Sequence, residues 1–152
     1  MKKLIFKYSL LALIAVTLAF IYVNSMLPPQ VSSEGSGRVA RLLAMIFPPD
    51  SMLGSFLITN VRKIAHFLEY AALGAEIAVY VNFYVQNREK WLKIMAVSGF
   101  FFGFVDETVQ MFSGRGPSVK DVWIDSFGYC IFYAAVCLLA AVIRKIKASR
   151  VR

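Results

Sequence analysis

Ionisable and amide side chains recur at helical spacing inside otherwise apolar segments of this chain. His66 and Glu69 are three residues apart, Asp106 and Gln110 four, and Asp121 and Asp125 four, so each pair shares one face of a helix. Glu107 adjoins Asp106, and Glu76 continues the face of Glu69. A histidine among carboxylates is equipped for general acid–base chemistry, which makes His66, Glu69, Asp106 and Asp125 the catalytic candidates. The same four, with Glu107, Gln110, Asp121 and the cation Arg115, form a ligand-binding set rich in hydrogen-bonding groups. Five close carboxylates cannot all stay ionised without cations, and the guanidinium of Arg115 is suited to close the network by bidentate pairing. One histidine and no cysteine ligand set make a metal centre the weaker expectation, and no cofactor is expected. No Ser-His-Asp spacing, phosphate loop or HExxH motif occurs. The bland alternative is that these side chains fasten helices to one another.

The elements that must position these residues are read from the apolar runs. Of the 152 residues 59% are apolar, against about 45–50% in an ordinary soluble domain. The apolar residues come in long runs, and a bilayer core of roughly 30 Å asks for about 20 such residues per helix. The expected fold is therefore all-α: one polytopic membrane domain over 1–152, with four transmembrane helices at about 8–26, 63–85, 91–112 and 119–143. The first run resembles a signal peptide but is read as an uncleaved helix, closed by Pro28-Pro29. In the long connection 27–62, Gln30 to Gly37 reads as exposed loop. Arg38 to Phe47 reads as a short helix, either interfacial or packed on the bundle. The segment Ser113 to Pro117 is a tight turn, and Ser118 is placed to cap the last helix. Cys130 and Cys137 lie seven apart on one helix, too far for a disulfide, and serve as small packing residues.

Depth within the spans converges. From the 1.5 Å rise per residue, Glu69, Asp106, Glu107 and Asp125 each lie about 8–9 Å inside the same membrane face, and His66 about 4–5 Å. Eleven Lys and Arg fall on the side of the two termini and the 86–93 turn, and six on the other. The positive-inside rule then puts both termini in the cytoplasm and the site at the outer face. The formal charge of +8 sits at helix ends rather than on one soluble surface, which argues against a nucleic-acid partner.

Two segments carry a family resemblance. Arg62-Lys63-Ile64-Ala65-His66-Phe67-Leu68-Glu69-Tyr70, followed by Leu73-Gly74, resembles the first core motif of the VanZ-like family. Asp106-Glu107-Thr108-Val109-Gln110-Met111-Phe112, then Gly114 to Val122, is similar to its second; Asp125 and Gly128 match the helix that follows, and Asn24-Ser25 the amino-terminal segment. The resemblance covers nearly the whole chain. It implies a bacterial plasma-membrane, multi-pass protein of the cell envelope, in a family associated with glycopeptide (teicoplanin) antibiotic resistance.

Taken together, these features lead to an expectation of an outward-facing acidic site at lipid-headgroup depth. Its partners would be membrane lipids and a lipid-linked cell-wall precursor or lipoglycopeptide. A membrane-embedded acid–base enzyme acting on such a headgroup and a structural partner in envelope assembly are the alternatives. A proton relay through Glu76 and Glu69 is disfavoured, because the inner halves of the third and fourth spans carry no carboxylate or histidine.

Overall fold

The computed structural model describes residues 1–116 and 118–150. Among the described residues the chain is helical throughout: α1 (Lys2–Met26), α2 (Pro29–Ile46), α3 (Met52–Thr59), α4 (Val61–Tyr84), α5 (Arg88–Phe112) and α6 (Val119–Ser149). Pro117, expected to stiffen the turn after Gly116, lies outside the described residues, as do the last two residues of the basic tail.

Local chemistry sets the breaks. Leu27 and Phe47 both precede a proline and both adopt extended backbone, because a following proline ring disfavours the helical conformation. Ser51 caps α3 by accepting the Gly54 amide at 3.0 Å, and Ser118 caps α6, as expected, by accepting the Asp121 amide at 3.3 Å. Asn87 takes the left-handed conformation, φ 56°, at the turn into α5.

The 27–62 connection departs from expectation. Gln30 to Gly37 is not loop but the first half of α2. Pro29 stands at the first helical position, where its fixed φ favours helix and its missing N–H costs nothing. Val31, Gly35, Val39 and Leu43 then recur every four residues along one face, which lines a cavity against α4. The expected short helix at 38–47 is the second half of the same element, and Phe56 to Ile58 belongs to α3.

Among the described residues three helices, α1, α4 and α6, are long and apolar enough to cross a membrane. The fourth expected span, α5, has 25 residues, with Arg88, Glu89, Lys90 and Lys93 near one end and Asp106 and Glu107 near the other. Helices also run beyond the apolar segments, α6 to Ser149 rather than Ile143, because Lys, Arg and Ala favour helix.

Contacts near the helix ends fix the directions. Ser25 near the end of α1 meets Asp106 late in α5, and His66 early in α4 meets Asp125 early in α6. Thus α1 and α5 arrive at one end of the bundle, and α4 and α6 leave from it. At the other end Arg144 donates to Asn82 Oδ1 at 3.1 Å.

The core centres on Tyr70, Leu73, Ile77, Tyr129 and Tyr133, with Ile21 of α1 added. Helices α4 and α6 pack most closely, through a reciprocal pair of glycines. Gly74 lies on the backbone of Tyr129 and Gly128 on the backbone of Phe67, with no room for a Cβ at either. Helix α5 is tied on by tyrosine hydroxyls. Tyr70 donates to the Phe102 carbonyl at 3.1 Å, Tyr129 to Met95 at 2.8 Å and Tyr133 to Leu92 at 2.9 Å. Phe100, Phe101, Phe104, Trp123, Phe127 and Leu138 face outward. An exposed apolar belt of this extent suits a lipid surround.

Candidate functional site

Three helices each contribute one side chain to a common point. His66 Nδ1 of α4 lies 3.7 Å from Asp106 Oδ2 of α5 and 3.6 Å from Asp125 Oδ1 of α6. Both carboxylates are fully buried, at 0% exposure, and His66 is half-buried. Helix spacing places them. His66 is in the second turn of α4 and Asp125 in the second turn of α6, while Asp106 sits in the last two turns of the antiparallel α5. Gly103, one turn before Asp106, lets α6 close in: a Cβ there would stand 3.2 Å from Asp125 Cβ.

Asp106 is the hub. Its Oδ1 accepts the Ser25 hydroxyl at 2.5 Å and its Oδ2 accepts the Gln110 amide at 2.8 Å. The Gln110 carbonyl oxygen in turn accepts Arg62 Nη2 at 2.8 Å. Ser113 extends the link to α1 by donating to the Ser25 carbonyl at 3.0 Å. Asp125 is the opposite case. Neither of its carboxylate oxygens has a hydrogen-bond partner among the described residues, and His66 Nδ1 also lacks one. The donor atoms of His66, Asp106 and Asp125 all lie within 4.8 Å of one another, a spacing that among the described residues would let this trio hold a metal ion.

Two cavities reach the cluster. The larger, about 450 Å³, lies between α2 and α4; Asn24, Arg62, His66, Glu69 and Arg115 supply polar groups to a mostly apolar wall. The smaller, about 190 Å³, opens between α4 and α6 beside Arg62, Lys63, His66, Asp121 and Asp125. Arg62 and His66 border both.

The remaining expected residues divide. Glu69 lines the larger cavity and Asp121 the smaller, while Gln110 lies within the network. Glu107 turns away from the trio: its Oε2 accepts the Ser118 backbone amide at 2.7 Å, so it serves the start of α6, where backbone donors lack helical partners. Arg115 does not pair with a carboxylate as expected. Its Nη2 donates to the Leu27 carbonyl at 2.7 Å and the Asn24 carbonyl at 3.3 Å. Pro28 and Pro29 end α1 and bring no amide N–H of their own, so the Leu27 carbonyl takes the guanidinium, while the Asn24 carbonyl shares it with the Leu27 amide at 3.3 Å. Burial lowers the Arg115 pKa, as does neighbouring Arg62, while Asp106 and Glu107 raise it. Glu76 stands apart, accepting the Thr17 hydroxyl at 3.0 Å.

Sequence reasoning missed two members. Arg62, named above only within the first family motif, is hydrogen-bonded into the network; its position four residues before His66 on one helix face was the available signal. Ser25 brings α1 into the site, and only its place in the amino-terminal motif hinted at that.

Fold and site together define a helical membrane protein that buries a histidine–carboxylate cluster where four of its helices meet. The chain belongs to the VanZ/LLP1 family, whose model matches residues 10–140. It is similar to the uncharacterized membrane protein YwnJ of Bacillus subtilis (strain 168), with 26% identity over 104 residues, covering 66% of this chain and 73% of that protein. No solved structure matches.

Proposed function

We propose that this protein binds the polar headgroup of a lipid-linked or lipid-anchored envelope molecule, at the outer face of a bacterial plasma membrane. The observation that carries this reading is the larger cavity. Its wall of Val31, Val39, Leu43, Leu57 and Ile64 suits an acyl or prenyl chain, and Arg62, His66, Glu69 and Arg115 border the same space. A molecule with an apolar chain and a polar head fits such a lining.

The topology supports the membrane placement. Helices α4 and α6 run in the same direction with α5 between them, so if both cross, α5 must return across. Its 25 residues reach about 37 Å at 1.5 Å each, enough for a fourth span. Asp106, Glu107 and Gln110 then lie against protein rather than lipid, as polar groups within a span must. The eleven-to-six bias in basic residues supports an orientation with both termini in the cytoplasm and the site outside. Lipid-linked cell-wall precursors and lipoglycopeptides of the teicoplanin kind have this chemistry, and a resistance role belongs with the latter.

A second reading, modification of the headgroup, is favoured by one feature: His66 borders both cavities while its Nδ1 faces the unpartnered Asp125. Under it His66, Glu69, Asp106 and Asp125 act as acid and base. Lipids copurified with the wild-type protein and with Glu69→Gln test the binding reading. A headgroup species enriched on the wild type and depleted on the variant supports it. Identical lipid profiles from two equally folded proteins count against it.

A further inference from the structure

We infer that His66, Asp106 and Asp125 form a binding site for a divalent transition-metal cation, of which zinc and manganese are the fitting types. Geometry comes first. Two donors each about 2.1 Å from a tetrahedral ion stand about 3.4 Å from each other. The His66 Nδ1 separations of 3.7 Å and 3.6 Å are within a few tenths of an ångström of that spacing, and too long for direct hydrogen bonds.

Unmet polar demand points the same way. Asp125 is fully buried, yet both its oxygens and the facing His66 nitrogen have no partner among the described residues. Buried carboxylates are ordinarily hydrogen-bonded or paired. Among the described residues neither Asp106 nor Asp125 is paired with a Lys or Arg. A divalent cation meets both needs, supplying charge and occupying the unused lone pairs.

The surroundings are built as ligand supports are. Ser25 and Gln110 each hold one oxygen of Asp106, and Arg62 holds Gln110, so the carboxylate is fixed in orientation. One imidazole and two carboxylates, with no sulfur, select borderline to hard first-row ions. The small donor number disfavours calcium, which takes six to eight oxygens. Three protein ligands leave an ion a free position, and cavities border His66 on two sides. The cation site stands independently of the headgroup reading; only its use, taking an anionic headgroup oxygen at that free position, rests on it.

The test uses the full chain in detergent micelles, with a non-histidine affinity tag, stripped with EDTA and titrated with zinc or manganese chloride alone. Equimolar uptake by the wild type, with a rise in Tm, is expected. Asp125→Asn should lose that uptake, and Gln110→Ala should weaken it by about 10–100-fold. Gln110→Ala keeps all three ligands, so it reports on the site even if Asp125→Asn fails to fold. A folded wild type that takes up neither metal overturns the inference, as does a folded Asp125→Asn that binds either one as tightly. Copurified headgroup retained after EDTA, with no metal uptake, removes the cation and leaves the headgroup reading standing; loss of the headgroup from metal-loaded Glu69→Gln bears on the headgroup alone.

Discussion

Ser25 and Asp106 meet across 81 positions of sequence: the Ser25 hydroxyl donates to Asp106 Oδ1 at 2.5 Å, with both side chains out of reach of solvent. The bond makes α1 part of the site rather than a separate anchor. Ser25→Ala leaves a buried carboxylate oxygen short of a donor, at a cost of about 1–3 kcal/mol. A lowered Tm in micelles is expected. Adding Asp106→Asn should cost less than the sum of the two single changes, since both break the same contact. Strict additivity would show that the contact carries no energy.

The glycine pair of α4 and α6 predicts a sharp positional contrast. Gly128→Ala sets a methyl group against the Phe67 backbone, which cannot rotate away, and should destabilise by about 1–3 kcal/mol. Gly35→Ala meets nothing within 4 Å and lies inside α2, so it should be neutral or stabilise by up to about 1 kcal/mol. Equal effects at the two positions, by thermal unfolding, would contradict the close approach.

Arg115 is assigned to the end of α1 and not to a carboxylate. Arg115→Ala should therefore loosen the Asn24–Leu27 segment. Faster hydrogen exchange at the end of α1 is the expected signature. Exchange that changes only in the first turns of α6 would return Arg115 to the carboxylate network.

Topology has its own check. With Cys130 and Cys137 replaced, a cysteine at Ser33 should react with an impermeant maleimide on intact cells, and a cysteine at Asn87 should not. The reverse pattern would turn the site toward the cytoplasm.

Much of the site was legible because a helix rises by a fixed amount per residue. Depths counted separately on three helices put His66, Asp106 and Asp125 toward the same membrane face, and the three converge there. The Ser118 cap was legible for the same reason: spacing along one element decided it. What escaped depended on where a neighbouring element lies. Arg115 reaches the end of α1, Glu107 reaches the start of α6, and Arg62 reaches Gln110. No periodicity within one helix states those partners. The first half of α2 escaped for another reason. Its Ser/Gly composition signals loop, while Pro29 and the face repeating every four residues from Val31 to Leu43 carry the helix.

The central claim is that the buried cluster performs the protein's task rather than only joining helices. It is tested most directly by restoring a deletion strain with the chain carrying Glu69→Gln, Asp106→Asn and Asp125→Asn together, at wild-type abundance in the membrane. The account predicts that this variant inserts and accumulates but leaves the deletion phenotype unrepaired. Full repair by the neutralised protein would contradict it.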